Sequence, residues 1–319
     1  MRTRTGALVM LAGVAITTGL IVPPCRPRHA ALRASLVSDD ELLSVASAAG
    51  KAAAQIVVAK LGADVVKTKA SRGDLLTAVD GEVQELIEAR VRDAFPDHAF
   101  LGEESVAAGA AASASALADT FDSGSAEYLW ICDPIDGTTN FVQSLPMVGI
   151  SIGVARREAS GWELCAGVIV DPFRAETFAC RRGGGATLNG GPIRTGPEAL
   201  PDAVVATGFA PNQASLQPML RGMAAVGAEA RTLRMLGSAA IMLAWVACGR
   251  LSAYFEADLN SWDTAAGVLL VREAGGVVTG LDGARHEVDT RALLASNAAS
   301  HAQLQACLEG AGVLGLDTV

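Results

Sequence analysis

Residues 130–140 read Trp-Ile-Cys-Asp-Pro-Ile-Asp-Gly-Thr-Thr-Asn, and this stretch decides the local fold. Pro134 disfavours helical backbone at the residue before it, so the chain is expected to stay extended as far as Asp133. Gly137 permits backbone angles that are closed to other residues, and Thr138 is a helix-capping type. The stretch therefore predicts a strand that ends at Asp133, a turn, and a helix that begins near Thr138.

The same stretch carries two carboxylates, Asp133 and Asp136, three residues apart. Carboxylates at such a turn can bind a hard divalent cation through oxygen, and free N–H groups at a helix start can bind a phosphate. Asp-Pro and Asp-Gly pairs are also common in surface turns, so an isolated copy of this pattern would not settle its role. Together, metal and phosphate in one turn indicate metal-assisted phosphate chemistry.

Composition and charge narrow the classes of function. The chain has 319 residues, half of them hydrophobic, and a formal net charge of −9. Such a negative balance argues against nucleic acid or anionic lipid as the main partner. The four histidines lie outside the motif-rich segments, so oxygen ligands for Mg²⁺ are favoured over a transition-metal site. The six cysteines show no zinc spacing and are expected to be small buried hydrophobes.

The N-terminal segment, residues 1–38, differs from the rest of the chain. It holds five arginines and no acidic residue, with an apolar run over 7–22 that is short for a membrane span. This arrangement is typical of a secretory signal followed by a transit-like stretch, and it predicts a cleaved targeting segment directed to a plastid. A plain signal peptide in the secretory pathway and a single membrane anchor are the alternatives. Residues 39–319 are then the catalytic domain.

Periodicity and breakers predict interleaved helices and strands from residue 38 onward. Helices are expected over 42–63, 75–94, 216–227, 238–248 and 261–274. Strands are expected over 99–101, 129–132, 147–156, 164–170, 177–180, 185–188, 203–207, 232–235 and 251–256. The Ala/Ser/Gly-rich stretch 107–124 is interpreted as a flexible surface loop. Interleaving of this kind predicts a layered α/β fold.

Three further acidic residues lie at predicted element ends. Asp80 lies near the start of the second predicted helix, Glu103 follows a strand in Gly102-Glu-Glu-Ser105, and Asp263 begins a helix in Trp262-Asp-Thr-Ala-Ala-Gly267. Each one alone could be a cap or a solvated acid. Because sites in α/β folds assemble at strand ends, the acids are expected to converge with Asp133 and Asp136.

The motifs around Glu103 and Asp133, together with Gly237-Ser-Ala-Ala240 and the segment at Asp263, resemble those of the inositol monophosphatase family in type and order. The resemblance covers roughly residues 39–308. It implies an α-β-α-β-α layered sandwich of the inositol monophosphatase and fructose-1,6-bisphosphatase type. It also implies a homodimer that uses two to three Mg²⁺ ions per site.

The resemblance implies roles for individual residues. Glu103, Asp133 and the carbonyl of Ile135 would bind the first ion. Asp133, Asp136 and Asp263 would bind the second, and Glu103 would bind a third through water. Asp80 and Thr138 would help activate the attacking water. The residues expected to contact phosphate or the alcohol are Gly137, Thr138, Gly237, Ala239, Glu256 and Asp263. Lys69 matches a lysine on a mobile loop, and Asn260 stands where some relatives have histidine.

The residues themselves favour the same reaction. No His, Cys or Ser in these motifs is arranged as a nucleophile with a base, so direct attack by water is expected in preference to a phospho-enzyme. The hypothesis is Mg²⁺-dependent hydrolysis of a small phosphorylated polyol, inositol 1-phosphate first. The alternatives are histidinol phosphate, galactose 1-phosphate, fructose bisphosphate or a 3′-phosphonucleotide as substrate, and an inactive metal-binding scaffold. Neither nucleic acid nor a stable membrane partner is expected.

Overall fold

The computed structural model describes residues 37–63, 65–68, 75–124, 126–209 and 213–313. The N-terminal apolar run and Lys69 lie outside these residues. The described helices are α1 (Asp39–Ala59), α2 (Ala78–Ala94), α3 (Ala110–Asp122), α4 (Thr138–Val142), α5 (Gln213–Glu229), α6 (Ala239–Ala247), α7 (Ser261–Glu273) and α8 (His301–Gly310). The described strands are β1 (Val65–Thr68), β2 (Leu75–Thr77), β3 (Ala99–Gly102), β4 (Tyr128–Asp136), β5 (Gly149–Glu158), β6 (Gly161–Asp171), β7 (Glu176–Arg181), β8 (Gly185–Leu188), β9 (Gly191–Ile193), β10 (Val204–Thr207), β11 (Thr232–Arg234), β12 (Ala253–Glu256), β13 (Val277–Thr279) and β14 (Leu293–Ser296).

Two larger sheets organise the described chain. The first has seven strands in the order β3-β4-β5-β6-β7-β8-β9, all antiparallel except the β3–β4 pair. The second has five strands in the order β11-β10-β12-β14-β13, with β10 parallel to both of its neighbours. A short β1–β2 hairpin lies before α2.

Helices cover both sheets and fill the space between them. The apolar faces of α1 and α2 pack on the outer face of the seven-stranded sheet. Helices α6 and α7 lie between the sheets in a common core. Helices α5 and α8 pack together against the five-stranded sheet, on a third core that includes Phe255 and Leu294. The predicted α-β-α-β-α layering is confirmed.

The central helices are apolar over most of their surface. Eight of the nine residues of α6 and ten of the thirteen of α7 are buried. A helix that is hydrophobic all round belongs in an interior, because it has no polar face to turn towards water. Trp262 in α7 is accordingly only 4% exposed.

Helix α1 is the one described helix that is long and apolar enough to cross a membrane. Its buried face, which includes Leu42, Ala49 and Val57, packs against the sheet in a protein core. Its start has a capping box, in which Glu41 N donates to Ser38 Oγ at 3.3 Å and Ser38 N donates to the Glu41 carboxylate at 2.9 Å. The helix is therefore a core helix of the first layer.

The prediction of a flexible loop over 107–124 is wrong, because α3 occupies most of this stretch. Alanine has the highest helix propensity, so a run rich in alanine needs few contacts to form a helix. Leu117 is 7% exposed, and Phe121 packs edge-on against Trp162 with ring centroids 5.7 Å apart. The guanidinium of Arg157 donates to the carbonyls of Phe121, Thr120 and Ala126 at 2.5, 3.1 and 2.9 Å, which satisfies the end of the helix.

Two facing glycines allow α7 to lie close to the seven-stranded sheet. Gly153 on β5 pairs with Gly167 on β6. A Cβ atom on Gly167 would lie 2.9 Å from the carbonyl oxygen of Ala266 in α7. Since that neighbour is backbone, it can move only if the whole helix moves.

We expect Gly167→Ala to lower the free energy of unfolding by roughly 1–3 kcal/mol, the usual cost of overpacking a dense core. Urea denaturation measures the change. Gly310→Ala near the end of α8 is the matched control, because a Cβ there would meet no atom of the described residues within 4 Å. Equal stability of the two variants would contradict this account of the layer contact.

Candidate active site

A bulge in β4 brings the two central carboxylates to the same side of the sheet. Asp133 pairs with Ser151 and Asp136 pairs with Gly149, so three steps on β4 face two steps on β5. In a regular strand, residues three apart face opposite sides, and one extra residue reverses this parity. Helix α4 begins at Thr138, as predicted, whereas the strand continues three residues beyond its predicted end at Asp133.

Three carboxylates converge at this point. Ligand oxygens of Asp133, Asp136 and Asp263 lie within 4.8 Å of one another. Asp133 and Asp136 are buried, and Asp263 is half-buried in the first turn of α7. Oxygen donors at this spacing suit a hard divalent cation such as Mg²⁺ or Ca²⁺.

Hydrogen bonds fix each carboxylate. Asp133 Oδ1 accepts from the Ile135 amide at 2.9 Å, and Asp263 Oδ2 accepts from the Asn260 amide at 2.6 Å. Asp136 Oδ2 accepts from the Ser238 hydroxyl and from the Ala240 amide, both at 2.6 Å. Because Ser238 and Ala240 lie at the start of α6, these bonds tie the end of β4 to the central helix layer.

The electrostatics of the cluster are unfavourable without a cation. Burial, followed by repulsion from Glu103, raises the pKa of Asp133 well above its ordinary range. Burial also raises the pKa of Asp136 to about 6 and that of Asp263 well above its usual value, with mutual repulsion adding to the rise at Asp263. A divalent cation would offset both the repulsion and the lost hydration, so the residues fit the group that the motifs imply.

Glu103 lies beside this cluster on the neighbouring strand, outside the close group of three carboxylates. Gly102 pairs with Cys132 in the parallel β3–β4 ladder, so Glu103 follows next to Asp133. Glu103 is half-buried, and its turn is held by Gln84, which accepts from the Glu104 amide at 2.9 Å. The negative charge of Glu103 contributes to the raised pKa of Asp133.

The predicted pair of Asp80 and Thr138 meets at the edge of the cluster. Thr138 Oγ1 lies 3.5 Å from Asp80 Oδ1 and 3.2 Å from the carbonyl oxygen of Ile135. Asp80 is fully buried, and its other oxygen accepts from the Thr77 amide at 2.9 Å, which completes the capping box of α2. The cap and the contact with Thr138 therefore use the two oxygens of one carboxylate.

A cavity of about 450 Å³ opens beside the carboxylates. Its lining includes the acids Asp136, Glu256, Asp258 and Asp263, the loop residues Gly237 and Ala239, and the exposed apolar side chains Phe209 and Met235. Gly137 lies in the left-handed region with φ of 100°, and a Cβ there would be 2.9 Å from the Gly237 carbonyl oxygen. The predicted substrate residues Gly237, Ala239, Glu256 and Asp263 thus share one cavity.

Glu256 and Asp258 differ in their surroundings within this cavity. Burial raises the pKa of Glu256 to about 7, against the lowering effect of a hydrogen bond from Tyr254. Asp258 forms an ion pair with Arg291, whose guanidinium also donates to Asn260 Oδ1 at 2.7 Å. Asn260, the N-cap residue of α7, is therefore held in place by this guanidinium.

Sequence reasoning missed residues that support the acids. Ser238 follows the predicted Gly237 and has a capping residue type, but nothing local indicated that its hydroxyl donates to Asp136. Gln84 donates to Ser105 Oγ at 2.8 Å as well as accepting from Glu104, and it lies on a helix face that periodicity assigned only to packing. Asn140 Nδ2 donates to the carbonyls of Met147 and Leu236, both at 2.8 Å, and so holds the Gly237 loop.

The fold and the acidic cavity define a layered α/β phosphatase, and comparison with known proteins specifies the family. The chain matches the inositol monophosphatase family over residues 38–310 and belongs to it. The protein named Nus factor SuhB of Pseudomonas aeruginosa is 35% identical over 266 residues, which are 80% of this chain and 91% of that protein. The inositol-1-monophosphatase of Synechocystis is 36% identical over 76% of this chain and 79% of its own length.

Two further similarities extend the comparison. The Arabidopsis thaliana protein named phosphatase IMPL1, chloroplastic, is 34% identical over 87% of this chain and 72% of its own length. The solved structure of inositol monophosphatase from Anabaena superposes with a TM-score of 0.70 at 31% identity, over 85% of this chain and 96% of that one. The predicted family, fold class and enzyme class are thereby confirmed.

The raised pKa of Asp136 gives a pH test in the metal-free protein. Between pH ~4 and ~6 the folded state holds a proton that the unfolded state has released, so stability falls as the pH rises through this window. The Asp136→Asn variant has no carboxyl group at this position, so it does not lose stability in this way as the pH rises. We expect its stability relative to wild type to improve by on the order of 1–2 kcal/mol between pH 4.5 and 7.5, in urea denaturation with a chelator present.

The comparison of the two proteins cancels the histidines, which titrate equally in both. His286 is the histidine for which this cancellation matters most, because burial lowers its pKa to about 3. A stability difference that stays constant with pH would show that Asp136 does not carry the cost of burial.

Proposed function

We propose that this chain hydrolyses a small phosphorylated polyol, inositol 1-phosphate first, to the free alcohol and inorganic phosphate in a Mg²⁺-dependent reaction. The observation that carries the proposal is the convergence of Asp133, Asp136 and Asp263 beside a cavity lined by Glu256. Membership of the inositol monophosphatase family and the names of the Synechocystis and Anabaena relatives support the substrate class.

Side-chain oxygens of Glu103, Asp133, Asp136 and Asp263, with the carbonyl of Ile135, would hold two to three Mg²⁺ ions. When bound, these ions lower the pKa of water and neutralise charge on the phosphate. The all-oxygen donor set and the repulsion among the acids support a hard cation at this position.

The chain's own groups would orient the reactants. The Thr138 hydroxyl can accept a hydrogen bond from the attacking water and donate its own hydrogen bond to Asp80, so that the proton lost by the water passes to Asp80. Thr138 Oγ1 and Asp80 Oδ1 already lie 3.5 Å apart. The amides of Gly137 and Thr138 would donate to phosphate oxygens. Attack opposite the ester oxygen forms one P–O bond and breaks another, and the departing alkoxide takes a proton from a neighbouring water to leave as the alcohol.

The alcohol would occupy the cavity beyond Asp136 and Asp263. Glu256 can accept hydrogen bonds from neighbouring hydroxyls of a polyol, and the backbone of Gly237 and Ala239 lines the adjacent wall. A carboxylate in this position suits a hydroxyl-rich alcohol, because its two oxygens can accept several hydrogen bonds at once.

The catalytic assignment predicts a large loss of rate from a small change. We expect Thr138→Ala to reduce kcat for inositol 1-phosphate by ~10²–10⁴-fold, because the water loses its orienting hydroxyl. Phosphate release in the presence of Mg²⁺ measures the effect. Thr139→Ala, one residue along α4 and exposed, is the matched control and should retain wild-type turnover. Absence of phosphate release by wild type with either Mg²⁺ or Mn²⁺ would refute the function.

The metal assignment predicts that Mg²⁺ stabilises the protein. At a free concentration of 100 Kd, a ligand that binds only the folded state adds about 2.7 kcal/mol to the free energy of unfolding. We expect the Tm to rise by several degrees with Mg²⁺ in a thermal melt, and Asp133→Asn to lose most of this rise. An equal rise in the variant would contradict the assignment of Asp133 as a ligand.

We further propose that the active form is a homodimer, as in the family that the motifs indicate. Light scattering on the purified protein tests this assembly, and a monomer mass at all concentrations would exclude it.

We also propose that residues 1–38 direct the chain to a plastid, with residues 39–319 as the catalytic domain. The basic, acid-free composition of the segment and the chloroplastic relative of Arabidopsis support this location. N-terminal sequencing of the mature protein tests it, because a start near residues 30–40 indicates cleavage and an intact Met1 indicates an anchor or no processing.

A further inference from the structure

Gly208 follows directly after β10, beside the strand that carries Glu256. In the parallel β10–β12 ladder, Thr207 pairs with Phe255. The Thr207 hydroxyl donates to the Phe255 carbonyl at 2.8 Å, which locks the two strands in this register. The next residue on each strand, Gly208 and Glu256, therefore lie side by side at the wall of the cavity.

The carboxylate of Glu256 occupies the space that a side chain at position 208 would need. A Cβ atom on Gly208 would lie 2.3 Å from Glu256 Oε2 and 2.7 Å from both Oε1 and Cδ. Among the atoms that the structure describes, these three are the nearest neighbours of that position, and all belong to one carboxylate. The φ angle of Gly208 lies outside the left-handed region, so the conflict concerns space and not backbone conformation.

A hydrogen bond from Tyr254 fixes the carboxylate from a second direction. The Tyr254 hydroxyl donates to Glu256 Oε2 at 2.7 Å, and Tyr254 is fully buried. Residues two apart on a strand project from the same face, so Tyr254 and Glu256 lie on one face of β12, with Tyr254 in the core and Glu256 at the cavity wall. The Glu256 carboxylate thus lies between the Tyr254 hydroxyl, which donates to it, and the α-carbon of Gly208, which carries no side chain.

We propose that Gly208 and Tyr254 are positioning residues that set the orientation of the Glu256 carboxylate and thereby the preference for hydroxyl-rich alcohols. This inference rests on the proposed function, in which Glu256 accepts hydrogen bonds from the alcohol. A side chain at position 208 would push the carboxylate away from Tyr254, because the end of a glutamate side chain rotates more easily than the locked strands separate.

Steady-state kinetics with two substrates test the inference. Inositol 1-phosphate offers hydroxyls to Glu256, and 4-nitrophenyl phosphate offers none. We expect Gly208→Ala to lower the ratio of kcat/KM for inositol 1-phosphate to that for 4-nitrophenyl phosphate by about tenfold, mainly through KM, which corresponds to ~1.4 kcal/mol. Tyr254→Phe should shift the ratio in the same direction.

A double-mutant cycle separates positioning from a general structural effect. In the Glu256→Ala background, the atoms that a Cβ at position 208 would meet are gone. Gly208→Ala should therefore have no further effect on the ratio in that background, since residues that act through one another are not additive. A loss of the same size in both backgrounds, or a wild-type ratio in Gly208→Ala, would overturn the inference.

A crystal structure of Gly208→Ala gives a readout that needs no activity. A carboxylate displaced from Tyr254 supports the inference, and one that remains 2.7 Å from the hydroxyl overturns it. Failure of wild type to hydrolyse inositol 1-phosphate would instead refute the substrate proposed above. The ratio would then be measured with whichever polyol phosphate wild type hydrolyses.

Discussion

The structure depends on one constraint, which is that several negatively charged carboxylates are held close together in a buried site. Asp133, Asp136 and Asp263 come from two distant parts of the chain, yet their oxygens lie within 4.8 Å of one another. Such a group is held together by the fold, because its members repel one another and lose hydration. Much of the architecture around it can be understood as the scaffold that enforces this proximity.

The scaffold acts through backbone donors placed at element ends. The amides of Ile135, Ala240 and Asn260 each donate to one of the three acids. Hydrogen bonds to a charged acceptor are roughly twice as strong as those between neutral groups. These donors lower the cost of the charges without removing it, so the cluster retains a strong tendency to take up a cation.

The sequence predicted the elements that have a clear period and the acids that lie in recognisable motifs. The apolar period of α2 and the Val- and Ile-rich runs of β5 and β6 were sufficient to place those elements, with boundaries shifted by a few residues. Strands β13 and β14 and helix α8 were not assigned, although the resemblance extended over them. The stretch of α3 was taken for a loop because its alanines and serines carry no apolar period. Its order comes from long-range contacts with Arg157 and Trp162, which local reasoning cannot foresee.

The supporting residues of the site were hidden for a similar reason. Ser238 and Gln84 have residue types that also occur in ordinary caps and helix faces, and their partners lie 102 and 20 residues away in sequence. The bulge between Asp133 and Asp136 was equally invisible, since the pairing with β5 creates it.

The burial of the central helices α6 and α7 restricts how this fold can be divided in evolution. Since α6 and α7 have almost no face suited to water, neither sheet could persist as a separate module once the other was lost. Gene fission, or the transfer of half this chain onto another protein, would leave one of these helices bare and prone to aggregate. Extensions at the termini and insertions in outer loops are therefore compatible with the fold, whereas the five layers have to be inherited together.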